Sequence, residues 1–98
     1  MQTHYVLVLC EVHCKWDLLP PRYRLYIDEE LFAERTWIWH GKYLEEAIQI
    51  QAPAGKYLIR FELLDTTTAQ LKIKNIRVDH GNAVVHKGGM VEIFNESI

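Results

Sequence analysis

Residues 10–14 read Cys-Glu-Val-His-Cys, the densest run of reactive side chains in the sequence. A thiolate beside an imidazole is the ordinary ligand chemistry of zinc. On an extended strand Cys10 and Cys14 stand about 13 Å apart, so joint chelation requires a turn at Glu11-Val12-His13. No second Cys/His pair follows at ligand spacing, although His4, His80 and His86 are present. The other readings are a disulfide between the two cysteines, or a buried Cys10 with Cys14 in a loop, and the last is preferred. A Cys14/His13 nucleophile is disfavoured, because neighbours on a strand point to opposite faces.

Carboxylates are spread along the chain at Glu29, Glu30, Glu34, Glu45, Glu46, Glu62 and Glu92. A glycosidase needs two of them about 5 to 9 Å apart across a cleft. Glu34, Glu46 and Glu62 are the set that one outer sheet face would gather, which gives a small glycoside-acting hydrolase as one alternative. The preferred reading is solvated charge. No serine precedes Ser97, and no glycine-rich phosphate loop is present. The expectation is a protein that is not an enzyme and needs no cofactor or metal.

The third constellation is Arg35-Thr36-Trp37-Ile38-Trp39. Side chains alternate along a strand, so Arg35, Trp37 and Trp39 share a face with Leu31 and Ala33. Phe32, Glu34, Thr36, Ile38 and His40 take the more polar opposite face. The indole face is therefore expected to be core, with Arg35 at its border. An indole buries on the order of 200 Å². The alternative is an exposed aromatic platform. Arg35, Trp37, Trp39 and the nearby Tyr43 are the candidate binding residues, since Arg beside aromatic rings is a common interface composition. Lys72, Lys74 and Arg77, with Lys56 and Arg60, form a small basic stripe that would chiefly protect an edge strand.

The elements that position these groups read as strands. Residues 3–12 are apolar on both faces, as a central strand would be. Residues 22–28 alternate, Asp28-Glu29-Glu30 turns, and 31–39 return, which predicts a hairpin. Residues 43–51 fit a period of two better than a helix. Ala52-Pro53-Ala54-Gly55 has type I turn chemistry. It leads into the strand 56–65, with Tyr57, Ile59, Phe61 and Leu63 on one face. In 69–79, Leu71 and Ile73 are out of phase with Ile76 and Val78, so a β-bulge near Lys74-Asn75 is predicted. Two turns, at 80–82 and 87–89, frame short strands at 83–86 and 90–94. About eight strands with a turn every 8 to 12 residues or so predict an all-β antiparallel sandwich spanning residues 1–98 as one domain.

The 98 residues suffice for one core, with 49% hydrophobic and 24% charged side chains. A net charge of −2 gives no basic field for nucleic acid. No apolar run approaches the roughly 20 residues of a membrane helix. The run Tyr5–Cys10 reads as a first strand and not a signal peptide, so a cytoplasmic setting with reduced cysteines is expected.

The layout from Arg22 through Gly81 resembles the small jelly-roll carbohydrate-binding modules, the calcium-dependent xylan-binding type in particular. It shares their short Ile-Asp-Glu turn, a Trp-bearing return strand, a Pro-Ala-Gly turn before a Tyr-Leu-Ile-Arg-Phe strand, and a late Leu-Ile-Ile-Val strand. The resemblance implies a jelly-roll fold and calcium-assisted sugar binding. The calcium candidates here are Asp65, Asp79 and Asn82, fewer than the six to eight converging oxygens such an ion takes. A second resemblance, in residues 30–39 with Tyr43–Glu46, is to small uncharacterised proteins of marine T-even-like cyanophages. It implies a viral protein in an infected cell or a virion and supplies no activity. The expected function is a non-catalytic binding or assembly module. It would make protein contacts, self-association included, through the Arg35/Trp37/Trp39 region or an edge strand, with carbohydrate binding as the alternative.

Overall fold

Alternation of apolar and polar residues builds the whole molecule. The computed structural model describes residues 2–16, 20–37, 43–64 and 69–95. These contain β1 (His4–Lys15), β2 (Arg22–Ile27), β3 (Glu30–Thr36), β4 (Tyr43–Ala52), β5 (Gly55–Leu64), β6 (Gln70–His80), β7 (Ala83–His86) and β8 (Met90–Ile93). They form one sheet in the order β4-β1-β6 and another in the order β3-β2-β5-β8-β7. Every pairing is antiparallel. The result is an all-β sandwich, compatible with a jelly-roll-like domain. None of the described residues forms a helix long and apolar enough to cross a membrane.

The chain passes between sheets after β1, β3, β4, β5 and β6, and only β2–β3 and β7–β8 are hairpins within a sheet. Each crossing places apolar faces against each other. Val6, Val8, Cys10 and Val12 of β1 and Ile48 and Ile50 of β4 line one side of the core. Tyr23, Leu25, Ile59, Val91 and Ile93 line the other.

Sequence features explain the corners. Asp28 ends β2 at φ 55°, a left-handed conformation that Asp tolerates. Its amide donates to the Leu58 carbonyl at 2.7 Å and its carboxylate accepts the Leu58 N–H at 2.8 Å, which ties the hairpin to β5. The bulge expected in β6 is present. Leu9 faces Arg77 while Glu11 faces Lys74, and Asn75 takes φ 55° between them. The extra residue lets Leu71, Ile73, Ile76 and Val78 all pack against the core. Gly81 closes the β6–β7 turn at φ 109°, where a Cβ would lie 2.6 Å from the Tyr5 carbonyl oxygen.

Two expectations change. Cys14 lies within β1 and not in a loop. The outer face of β1 carries Tyr5, Leu7, Leu9, Glu11 and His13, with Leu7 and Leu9 half-buried. A two-layer sandwich covers each sheet on one side only, so the second apolar row of β1 faces outward.

Candidate functional site

At the β3/β4 side of the sandwich, Trp37 follows β3 and is fully buried. Its amide donates to the Pro21 carbonyl at 2.8 Å, which extends the β2–β3 register by one residue and points the indole inward. The core reading of this face holds for Trp37, which presents no ring to solvent. Trp39 lies outside the described residues. Arg35 shares the inward face, but its side chain runs to the border and stays 43% exposed. Its Nε donates to Glu46 Oε2 at 2.6 Å, and the Tyr23 hydroxyl donates to the same oxygen at 2.6 Å. Glu46 is only 2% exposed. The bond to Glu46 holds the Arg35 guanidinium above its ordinary pKa. Burial, and then the bond to Glu46, push the Tyr23 hydroxyl up.

Tyr43 is exposed, yet it lies on the opposite face of β4 from Glu46. There its ring stacks on His13, with centroids 5.2 Å apart. Arg35, Trp37 and Tyr43, the described members of the set picked from sequence, therefore do not share one surface.

The carboxylate set also separates. Glu46 is interior, whereas Glu34 and Glu62 flank Arg24 on the outer face of the larger sheet. Arg24 Nε donates to Glu34 at 2.7 Å, and the Tyr26 hydroxyl donates to Glu62 at 3.2 Å. An outer face shared by Glu34, Glu46 and Glu62 does not exist, because Glu46 keeps the phase of Leu44, Ile48 and Ile50. The basic stripe splits too. Lys72, Lys74 and Arg77 sit on the outside of the smaller sheet, Lys56 and Arg60 on the outside of the larger one.

Because β1 is continuous, Cys10 and Cys14 face inward and His13 faces outward. Burial, and then the Glu46 charge, push the Cys10 thiol up to about 12, so it is not a thiolate near neutral pH. Burial raises Cys14 as well. Among the described residues no three His, Cys, Asp or Glu side chains gather as metal ligands. Asp79 and Asn82 are exposed, and Asn82 Nδ2 donates to the Asn95 carbonyl at 3.2 Å. Asp65 lies outside the described residues.

An opening lies elsewhere, between β5 and β6. It is a cleft of about 630 Å³ lined by Ile59, Phe61, Leu63, Leu71, Ile73 and Ile76, with Arg60 on its rim and Gly88 and Gly89 in its lining. Strand lengths create it. β8 pairs with β5 only from Gly55 to Leu58. One more bond, Ile59 N–H to the Gly89 carbonyl at 2.9 Å, ends the contact. Gly89 bends away at φ 86°, where a Cβ would lie 2.8 Å from the Ile59 carbonyl oxygen. Beyond that point β5 pairs with β2 alone, from Ile59 to Leu64.

Strand alternation fixes what the bare edge offers. Ile59 points its main-chain N–H toward the β8 side, and Leu58 points its own toward β2. Phe61 and Leu63 share the phase of Ile59, so their N–H and C=O groups face the opening. No strand among the described residues pairs with them there. Opposite, β6 has β1 on one side only. The cleft thus combines mainly apolar walls from both sheets with peptide groups that pair with no strand among the described residues. Sequence reading missed it, although one signal was available. A four-residue strand at 90–93 cannot cover a ten-residue strand at 55–64, whichever register it takes.

No protein-family model matches this chain, and comparison with curated proteins and with solved structures gives no match.

Proposed function

We propose that this domain is a non-catalytic binding and assembly module that acts through protein contacts at an unpaired strand edge. The observation that carries the reading is the bare half of β5, where Phe61 and Leu63 turn peptide groups that pair with no strand among the described residues toward a mainly apolar cleft. An exposed edge is a template for pairing with another chain. The rest of the geometry favours contact over chemistry. Glu46 is engaged by Tyr23 and Arg35, Glu34 and Glu62 straddle Arg24, and the Cys10 thiol keeps its proton. Trp37 acts as core, so the contact surface shifts from the Arg35/Trp37 region to the edge. The jelly-roll resemblance keeps calcium-assisted sugar binding as the alternative, and the phage resemblance adds no activity.

Light scattering on the purified chain, from low to high micromolar concentration, tests the reading together with a glycan array run with and without calcium. The expected outcome is concentration-dependent association and an array without binding. A chain that stays monomeric and binds glycans would replace the proposal with sugar recognition.

A further inference from the structure

The cleft could in principle be filled by a hydrocarbon tail or by a polypeptide. Its lining side chains, Arg60 apart, are apolar and accept either. The peptide groups at its rim do not. Covering the N–H and C=O groups of Phe61 and Leu63 with a hydrocarbon would strip them of water and give nothing back. A strand laid along the same edge would satisfy them while its side chains enter the cleft.

Resting on the function proposed above, we infer that the ligand of this cleft is an extended polypeptide segment with apolar residues at alternate positions. It adds antiparallel to β5 along Phe61–Leu64 and continues the line of β8. The direction follows the neighbouring strand, since β8 already runs antiparallel on the same side of β5. In an antiparallel pair, directly opposed residues point their side chains to the same face. Residues opposite Phe61 and Leu63 would therefore turn their peptide groups toward β5 and their side chains inward, onto Leu71, Ile73 and Ile76. The intervening residues would face outward beside Arg60 and Glu62. Those two are already held in a cross-strand cluster, Arg60 over the Tyr26 ring at 4.2 Å and Glu62 bonded to the Tyr26 hydroxyl. That surface is polar, so polar residues suit the outward positions. Four residues span about 13 Å of edge, which sets a short recognition segment.

The test uses the intact chain and one probe, an acetylated and amidated seven-residue peptide alternating valine with threonine and ending in lysine on both sides. Binding is followed by NMR titration of the protein amides. The expected result is a saturable shift centred on Phe61 and Leu63, with slower hydrogen exchange at both amides. N-methylation of the central valine, which removes a donor aimed at β5, should weaken binding by about tenfold or more. N-methylation of a threonine, whose N–H faces away, should change it by less than about threefold. Equal binding of the two methylated peptides overturns the inference, and so does palmitate binding in the cleft where the peptide does not bind. Association by light scattering without peptide binding would leave the assembly function standing and place its contact on another edge.

Discussion

Arg35 and Glu46 join the two sheets at one margin of the sandwich, β3 supplying the guanidinium and β4 the carboxylate, 2.6 Å apart. Glu46 occupies an inward position between Leu44 and Ile48, where the strand's alternation calls for an apolar residue. Tyr23 and Arg35 both donate to its Oε2, which satisfies the buried side chain. This margin is closed, while the opposite one, between β5 and β6, is open.

Removing one partner should therefore cost more than removing the whole set. Arg35→Ala leaves Glu46 buried with Tyr23 alone, and we expect a loss of about 1–3 kcal/mol, the lower part of the buried-pair range because Arg35 is half exposed. The triple variant Tyr23→Phe, Arg35→Met, Glu46→Leu should recover part of that loss. Urea denaturation of both variants measures it. An Arg35→Ala midpoint equal to that of the parent would show that Glu46 does not depend on the guanidinium.

Alkaline pH should expose the buried thiol. An unfolded cysteine titrates near pH 8.5 or so, whereas Cys10 in the fold is pushed up to about 12. Across that interval the unfolded chain has released a proton that the native chain retains, so stability falls as pH rises. Below the interval the contribution is fully present. Cys14, also raised, adds in the same direction. Chemical denaturation from neutral pH to about pH 10 should show a shallower decline in Cys10→Val than in the parent. A thiol reagent should label native Cys14 before Cys10. Equal slopes for the two proteins would refute the assignment.

Acid should act on the outer face of the smaller sheet. Glu11 accepts from Asn75 Nδ2 at 3.1 Å and lies 3.1 Å from His13 Nε2. The Asn75 bond, followed by the His13 bond, holds its carboxyl below the ordinary value. A depressed carboxyl gives stability that is present above the unfolded pKa, near 4.3 or so, and lost as pH falls through the lower folded value. Carbon-detected NMR should find Glu11 titrating below the ordinary glutamate value, and Asn75→Ala should move it back up. A Glu11 curve indifferent to Asn75→Ala would remove the bulge residue from this role.

Much of this architecture was legible because a strand's period is short and local. The hairpin at Asp28, the bulge at Asn75 and the core face of Trp37 all follow from which residues share parity. Pairing partners do not follow from parity. Parity puts Glu46 in phase with Leu44, Ile48 and Ile50 and Glu45 on the other face, but nothing in that string tells that an arginine from the other sheet meets it. Tyr43 sits close to Arg35 in sequence, yet the change of sheet between β3 and β4 turns it to the opposite surface. The unequal lengths of β5 and β8 show that part of β5 stays uncovered, but which part depends on a long-range register that the composition of neither strand encodes. Without a recurring family pattern, such non-local facts come only from the folded chain.

His4 offers the sharpest check on the core. It begins the inward row of β1 and is 8% exposed, facing the interior with Val6 and Val8. Among the described residues its Nε2 is buried without a hydrogen-bond partner. An unsatisfied buried polar atom costs about 1–3 kcal/mol, and an apolar side chain of similar size avoids that cost. His4→Leu should therefore leave stability unchanged or raise it by about 1 kcal/mol, in contrast to most substitutions at buried positions. His4→Ala, which leaves a void, should lower it. Paired urea curves decide the matter. A His4→Leu loss above about 1 kcal/mol would mean that the imidazole is held by a bond, such as one to a buried water, that the leucine cannot replace.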